Sequence, residues 1–285
     1  MGRLYPRMRE RPPEVRLNHA SPLAGELEFL GVFTPAGGPV LRDLSAHKWN
    51  GRYEGDFADQ LFVWDDRLKR FVANFQSGSI NYFRFQNSSR WWFDGKSFSV
   101  MTWAWHRQLK TPFYTRQFNY HIPNPPYTGW TLQKTDGGAY HFFLSSGSGR
   151  HAQIHAGAIP AMTWHHSCGV FRRSSFGELW INGILAKTAN VSAISSMSHG
   201  YAPCIGNHDR GTAGDNWDGF LADIALFSRA LVGAEIAALA DPSNVDLRVG
   251  GVPLILPPRR RFWPVVSEQA IPKMVPWHLF QQVSA

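Results

Sequence analysis

The sequence has few cysteines and no long apolar run, and each absence excludes a class of protein. Cys168 and Cys204 are the two cysteines among 285 residues, which is too few for a disulfide scaffold, and they form no Cys-x-x-Cys pair for zinc or redox chemistry. We interpret both as buried, small apolar residues, and a single bridge between them stays open. The apolar stretch 252–256 contains Pro253 and is far shorter than the roughly 18 residues of a membrane-spanning helix. The sequence therefore predicts no membrane association.

The N-terminal residues also lack the apolar segment of a secretion signal. Residues 1–20 contain five arginines, but no apolar region follows them. We therefore expect the protein to be made in a cytoplasm. With 44% hydrophobic and 14% aromatic residues, the chain can bury the core of one large or two small domains.

Acidic residues are outnumbered, and the excess of basic residues is concentrated at the two ends. There are 29 lysines and arginines against 21 acidic residues, a formal charge of +8, which favours an acidic partner. Composition divides the chain into a basic N-terminal arm (1–20), a central domain (21–240) and a proline-rich tail (241–285). The arms are expected to be extended.

Helical patterns are nearly absent. Short runs of aromatic and branched residues at 98–105, 139–145, 163–171 and 220–227 are typical of strands. Asn182 and Gly183 can take the positive φ angles of a type I′ turn, which predicts a hairpin over 178–187. The single convincing helix, 233–240, is too short to cross over a parallel sheet. The pattern predicts an all-β, antiparallel sandwich with one short C-terminal helix.

Several segments resemble the laminin-G-like, concanavalin A-like jelly-roll family. The similarity begins at 19–27 (HASPLAGEL) and 43–51 (DLSAHKWNG) and continues through 163–166 (TWHH) and 179–185 (LWINGIL). It ends with GFLAD at 219–223, FSRAL at 227–231 and AEIAAL at 234–239. The resemblance implies a jelly-roll β-sandwich over about 19–240, with Trp103, Trp164 and Trp180 at strand positions that the family packs in its core.

The sequence lacks the motifs of several enzyme classes. Glycosidases on this fold use a Glu-x-Asp-x-x-Glu strand to place two carboxylates, and that pattern is absent. Glu26 and Glu28 form the one close glutamate pair, and we interpret them as residues of an exposed edge. No nucleophile elbow, phosphate loop or His-Glu-x-x-His helix occurs. His165 and His166 are adjacent on a strand and should point to opposite faces. We expect no enzymatic activity.

One loop combines residues that can hold an ion or a sugar. Asn207 and Trp217 are the predicted glycan contacts, and Asp209, Asp215 and Asp218 are the predicted calcium ligands, because calcium takes six to eight oxygens from such loops. The alternative is that these residues are those that a long turn requires. The frequent acidic residue of the family's last strand is replaced by Ala222. No fold signature of RNA binding accompanies the arginine and aromatic pairs, so a nucleic-acid partner is not expected.

The C-terminal tail is the segment that a simple sugar-binding domain does not explain. Its 254–263 stretch (LILPPRRRFW) resembles the endings of laminin-G-like proteins of tailed bacteriophages. Exposed apolar surface costs roughly 25 cal/mol per Å², so the tail should dock on its own sandwich or on a neighbouring subunit. The predicted anchoring residues are basic or aromatic: Arg259, Arg260, Arg261, Phe262, Trp263, Trp277 and Phe280.

Together these observations favour a non-enzymatic structural protein of a bacteriophage virion, with capsid decoration or cement slightly preferred. Its partners would be the major capsid or tail protein and further copies of the chain. The alternative function is a calcium-assisted, carbohydrate-binding lectin, or a tail receptor-binding protein that contacts surface glycans. A glycoside hydrolase is the third hypothesis, and the missing carboxylate motif weighs against it.

Overall fold

Two antiparallel sheets pack face to face in a β-sandwich. The computed structural model describes residues 15–34, 38–55, 61–77, 80–109, 111, 114–122, 125, 127–147, 149–209, 215–243 and 247–249. Sheet I contains β2 (Leu27–Val32), β5 (Phe62–Asp65), β6 (Arg70–Phe75), β8 (Phe98–His106), β13 (His165–Phe171), β14 (Phe176–Ile181), β15 (Ile184–Asn190) and β17 (Gly219–Phe227). Sheet II contains β3 (Val40–Asp43), β4 (Gly51–Gly55), β7 (Asn81–Arg84), β9 (Thr115–His121), β10 (Thr128–Lys134), β11 (Ala139–Ser146), β12 (His151–Ala158) and β16 (Cys204–Ile205).

The strand order explains how the chain builds two layers. Sheet I runs β15-β14-β13-β8-β17-β2, with β6 and β5 continuing beside the first part of β17. Sheet II runs β12-β11-β10-β9-β16-β7-β4-β3, and the two sheets join where β2 pairs with β3. Every pairing is antiparallel, and the one α-helix of the described chain is α1 (Gly233–Leu239). Short 3₁₀ turns lie at Pro22–Ala24 and Ser89–Trp91. The predicted all-β, antiparallel jelly-roll class is confirmed.

The main core lies between the sheets and is built from alternate strand residues. Phe98 of β8 lies 5.5 Å from Phe171 of β13 and 5.4 Å from Trp130 of β10, centroid to centroid. Each of these side chains is buried, and burying a large apolar side chain contributes about 1.5–3 kcal/mol. Because side chains alternate along a strand, the residues between them point to the outer faces of the sheets.

A second apolar cluster covers the outer face of sheet I. It includes Met101, Cys168, Ile236 of α1 and Leu17 and Leu247 from the two ends of the described chain. Trp103 is buried in a small neighbouring cluster, and Trp164 packs against that cluster. Trp180 is partly buried and packs against the second cluster. The three tryptophans thus lie on this outer face and not in the core between the sheets. Both cysteines are buried and free, so no bridge joins Cys168 to Cys204.

The folded part extends beyond residues 21–240. Arg16–Leu17 forms a short strand, β1, which pairs antiparallel with β18 (Arg248–Val249). The amide of Asn18 also donates to the carbonyl of Leu247 at 3.0 Å. β1 and β18 thus form a separate two-stranded sheet, and Leu17 and Leu247 pack in the second cluster.

The predicted hairpin and the histidine pair are found as expected. Asn182 and Gly183 have φ angles of 51° and 78° between β14 and β15, as a type I′ turn requires. His165 points inward, where its Nε2 contacts the hydroxyl of Tyr140, and His166 points outward, 3.4 Å from the sulfur of Met101. None of the described helices is long and apolar enough to cross a membrane.

Candidate functional site

Trp217 does not offer a stacking surface to a sugar. Its indole is fully buried in the main core, and Nε1 donates to the carbonyls of Trp105 at 3.2 Å and Phe220 at 3.3 Å. Asn207 is also fully buried, and its Nδ2 donates to Oδ1 of Asn216. The prediction that these two residues contact a glycan is wrong, because both side chains face the interior.

The three carboxylates predicted to bind calcium each have a separate arginine partner. Asp209 pairs with Arg84, and Asp218 lies 2.9 Å from Arg107 Nη1. Asp215 lies 3.6 Å from Arg116 Nη2. Among the described residues no group of three metal-ligating side chains is gathered. An adjacent guanidinium competes with a cation for the carboxylate oxygens, and the described residues do not bring the three carboxylates together.

The anchoring residues predicted in the tail lie outside the described part of the chain. They are Arg259, Arg260, Arg261, Phe262, Trp263, Trp277 and Phe280.

The structure instead brings a polar patch together on the outer face of sheet II, where β9, β10, β11 and β12 lie side by side. Cross-strand pairing arranges the patch in three rows. The first row is Arg116, Gln133, His141 and His155; the second is Asn119, Thr131, Phe143 and Gln153; the third is His121, Gly129, Ser145 and His151. We call these twelve residues the polar face. Gly129 has a φ of 115°, and a Cβ there would clash with the carbonyl oxygen of Tyr120 and lie 2.8 Å from Cα of His121, so the close approach of β9 and β10 requires a glycine.

Five side chains at the floor of the polar face are buried and have polar atoms without a hydrogen bond. Arg116, Asn119, His121, Gln133 and His141 are each more than nine-tenths buried. The atoms that find no partner in the described chain are Arg116 Nε, Asn119 Oδ1, both ring nitrogens of His121, Gln133 Oε1 and His141 Nε2. A buried polar group left without a partner costs about 1–3 kcal/mol. Ordered water or a hydrogen-bonding ligand can supply the missing partners of such a cluster.

Both donors and acceptors are available at the floor. Gln133 Nε2 donates to His141 Nδ1 at 2.9 Å, so the proton of the neutral His141 ring lies on Nε2, which is a free donor. Asn119 Oδ1 and Gln133 Oε1 are free acceptors, and Arg116 Nε is a free donor. A neutral His121 ring supplies one donor and one acceptor.

The histidines of the floor stay uncharged near neutral pH. Burial, reinforced by the charge of Arg116, lowers the pKa of His121 to about 2. Burial also lowers the pKa of His141 to about 3, and the pKa of the more exposed His155 is lowered for the same reason. The rings therefore act as neutral hydrogen-bonding and stacking groups.

Aromatic rings surround the floor. The Phe143 ring meets His121 edge-on at 4.8 Å and lies nearly parallel to His151 at 6.0 Å. Tyr127 stacks on His121 with ring centroids 5.9 Å apart, and its side chain is 44% exposed. Apolar ring faces next to free donors and acceptors form the type of surface that binds a ligand with both a carbon skeleton and hydroxyl groups.

The sequence could not easily reveal this surface. The alternation of polar and apolar residues in TRQFNYH and AYHFFLSS shows that one face of these strands is polar. Which residues are neighbours depends on the pairing register, which includes a bulge between Leu132 and Gln133, and register is set by tertiary structure.

The fold is shared with known proteins. A model of the Concanavalin A-like lectin/glucanases superfamily, from its laminin G family, matches residues 75–237. The binding domain of Paraclostridial Mosquitocidal Protein 1 superimposes with a TM-score of 0.60 at 15% identity, over 76% of this chain and 52% of that chain. The binding domain of botulinum neurotoxin DC in complex with SialylT gives 0.56 at 14% identity, over 76% and 52%.

These comparisons establish the architecture. The receptor binding domain of botulinum neurotoxin D gives a TM-score of 0.57 at 14% identity, over 76% of this chain and 53% of that chain. The chain thus spans about half the length of these structures, and at such identities the likeness is one of fold. No curated protein sequence matches the chain. Since the family model covers more than half of its residues, the chain belongs to the laminin G family of the concanavalin A-like lectin/glucanases superfamily.

Proposed function

We propose that this chain is a non-enzymatic, glycan-binding domain and that the polar face is its binding surface. The observation that carries the proposal is the set of buried polar atoms without partners beside Phe143. A sugar hydroxyl both donates and accepts a hydrogen bond, so it can pair with Asn119 Oδ1 and with His141 Nε2 alike. The carbon face of a sugar ring can lie on exposed aromatic edges.

Two further observations support binding in preference to catalysis and fit this choice of ligand. The three rows of the polar face contain no carboxylate, whereas hydrolysis of a glycosidic bond needs two, about 5–5.5 Å or 6.5–9.5 Å apart. A structure of the same fold, the neurotoxin DC binding domain, has been determined with SialylT. Sugar binding at the polar face, whose three rows contain no carboxylate, does not require calcium.

The test compares variants that remove free acceptors with a variant that removes a bonded hydroxyl. Asn119→Leu and Gln133→Leu should each weaken sugar binding at least about tenfold, the equivalent of one lost hydrogen bond. Ser99→Ala is the control, because Ser99 is buried on sheet I and its hydroxyl is fully used, donating to Arg229 O and accepting from Leu231 N, both at 2.9 Å.

Binding is measured by a glycan array followed by titration calorimetry of the best sugars. Retained binding in the Ser99 variant and loss in the two floor variants supports the proposal. Absence of any sugar ligand for the full chain, or equal binding by wild type and Asn119→Leu, overturns it.

As a second candidate, we propose that the domain is displayed on a bacteriophage particle, as a capsid decoration protein or a receptor-binding protein of the tail, in many copies. This proposal is supported by the sequence of the tail, in which Arg259 to Arg261 are followed by Phe262 and Trp263. Arginine and aromatic residues dominate the energetics of protein interfaces. The virion location and its protein partners depend on this tail and not on the polar face.

The two proposals have separable experiments. Phage particles are sedimented with the full chain and with a chain ending at Val249, the last described residue. Sedimentation of the full chain alone supports an anchoring tail. Equal behaviour of both chains contradicts it, and neither outcome changes the glycan test.

A further inference from the structure

We infer that Asp215 makes the polar face selective for uncharged sugars by neutralising Arg116. The inference rests on the proposed glycan-binding function and assigns a specificity-determining role to a residue outside the three rows.

Arg116 is the one permanently charged side chain in the three rows, and its charge is already balanced. Its Nη2 lies 3.6 Å from Asp215 Oδ2, and the same oxygen lies 3.2 Å from His208 Nε2. Arg116 is more than nine-tenths buried and Asp215 is partly buried. Two opposite charges at this distance and depth interact far more strongly than they would in water.

The two buried histidines of the floor and the nearby His199 add no charge near neutral pH. His121 and His141 have pKa values of about 2 and about 3, and burial lowers the pKa of the nearby His199 to about 4. Arg84 of β7 lies in line with Asn119 of β9, with Cys204 of β16 between them. Its charge is balanced by Asp209, with which it forms an ion pair. The floor is therefore close to neutral although the whole chain carries +8.

A sugar carboxylate would find this neutral floor unfavourable. It would lose its water, face the amide oxygens of Asn119 and Gln133, and compete with Asp215 for the guanidinium of Arg116. Burying a charge without a free partner is costly, and so is placing two like charges together. An uncharged hexose meets none of these penalties, because each of its hydroxyls can pair with a donor or an acceptor of the floor.

The test uses sugars that differ by a single carboxylate. The probes are the methyl glycosides of glucose and glucuronic acid, and of galactose and galacturonic acid. Wild-type protein should bind the uncharged member of at least one pair about tenfold or more tightly than the acidic member. Asp215→Asn, which leaves Arg116 without its carboxylate, should reduce that ratio about tenfold or reverse it.

The matched control is Asp66→Asn, which makes the same charge change at an aspartate with 87% side-chain exposure in the turn between β5 and β6. This variant should keep the wild-type ratio. Thermal unfolding shows whether both variants are folded. If Asp215→Asn does not fold, the wild-type protein decides: affinity for the acidic glycoside should change less than twofold between about 50 mM and about 500 mM NaCl, because a balanced Arg116 leaves no net attraction for salt to screen.

The outcomes separate the inference from the function on which it rests. A wild-type preference for the acidic member, an unchanged ratio in a folded Asp215→Asn variant, or a steep salt dependence overturns the role of Asp215 and leaves glycan binding in place. Failure of the wild type to bind any of the four glycosides, or any sugar of the array, overturns both.

Discussion

A buried polar side chain can stabilise the fold or bind a ligand, and polar atoms without a hydrogen bond inside the protein distinguish the second case from the first. Ser99 uses its hydroxyl twice within the protein, whereas Asn119 has a free acceptor at the floor of the polar face. A partnerless buried acceptor costs stability that an apolar group of similar shape does not. Asn119 therefore resembles a residue kept for binding at some expense to stability.

The first prediction follows from this difference. Asn119→Leu removes the unpaired acceptor and one long bond, 3.4 Å from Nδ2 to the carbonyl of His121, so stability should change by less than about 1 kcal/mol. Ser99→Ala should destabilise the fold by about 1–3 kcal/mol, because it strips the bonds of a buried amide and carbonyl. Chemical denaturation followed by tryptophan fluorescence measures both. A destabilised Asn119→Leu variant would show that Asn119 is structural.

Trp217 supplies the second residue-level prediction. Trp217→Phe removes the indole N–H that bonds two carbonyls and leaves a small cavity, so the free energy of unfolding should fall by about 2–4 kcal/mol. Sugar affinity should stay within about twofold of wild type, because Trp217 does not reach the surface. A selective loss of sugar binding in a variant of wild-type stability would contradict this assignment.

Individual strands and turns were predictable where the signal is local. Asn182 and Gly183 define the β14–β15 hairpin because few other dipeptides tolerate two positive φ angles. Strand β8 and helix α1 were found to within one residue of their predicted bounds. The pairing of β9 with β10 was not predictable, since its register depends on a bulge and on packing between the sheets.

The hairpin turn provides a prediction for this element. In Gly183→Ala the added methyl would lie 3.0 Å from Cα of Ala237 in α1, at a φ of 78°. We expect a loss of about 1–2 kcal/mol from the left-handed backbone alone. Gly157→Ala is the control, because its added methyl meets nothing within 4 Å and its φ is not positive. Equal melting temperatures for the two variants would show that the turn tolerates a side chain.

For the whole molecule, buried histidines make stability depend on pH. Burial lowers the pKa values of His106 and His199 to about 4, of His165 and His166 to about 3, and of His121 to about 2. Between these values and the ordinary 6.5, the unfolded chain binds more protons than the folded one, so stability is full above pH 6.5 and falls as the pH falls.

The corresponding prediction is a steep loss of stability in mild acid. Below pH 6.5, each such ring lowers the free energy of unfolding by about 1.4 kcal/mol per pH unit. The combined loss from several rings exceeds the total stability of a typical domain, about 5–15 kcal/mol, within a few pH units. Melting temperatures measured from pH 8 to pH 5 should be level above about 7 and drop sharply below about 6. A melting temperature that stays level down to pH 5 would show that these rings are solvated or paired.

The pairing of β1 with β18 determines how the domain responds to tension. Arg16 pairs with Val249 and Leu17 with Arg248, so a pull applied at Arg16 and Val249 acts first on the two residue pairs of this small ribbon. The outer pair, Arg16 and Val249, would separate first and the inner pair second, before the force reached the aromatic core between the sheets. The ribbon can therefore yield and re-form while the polar face keeps its shape.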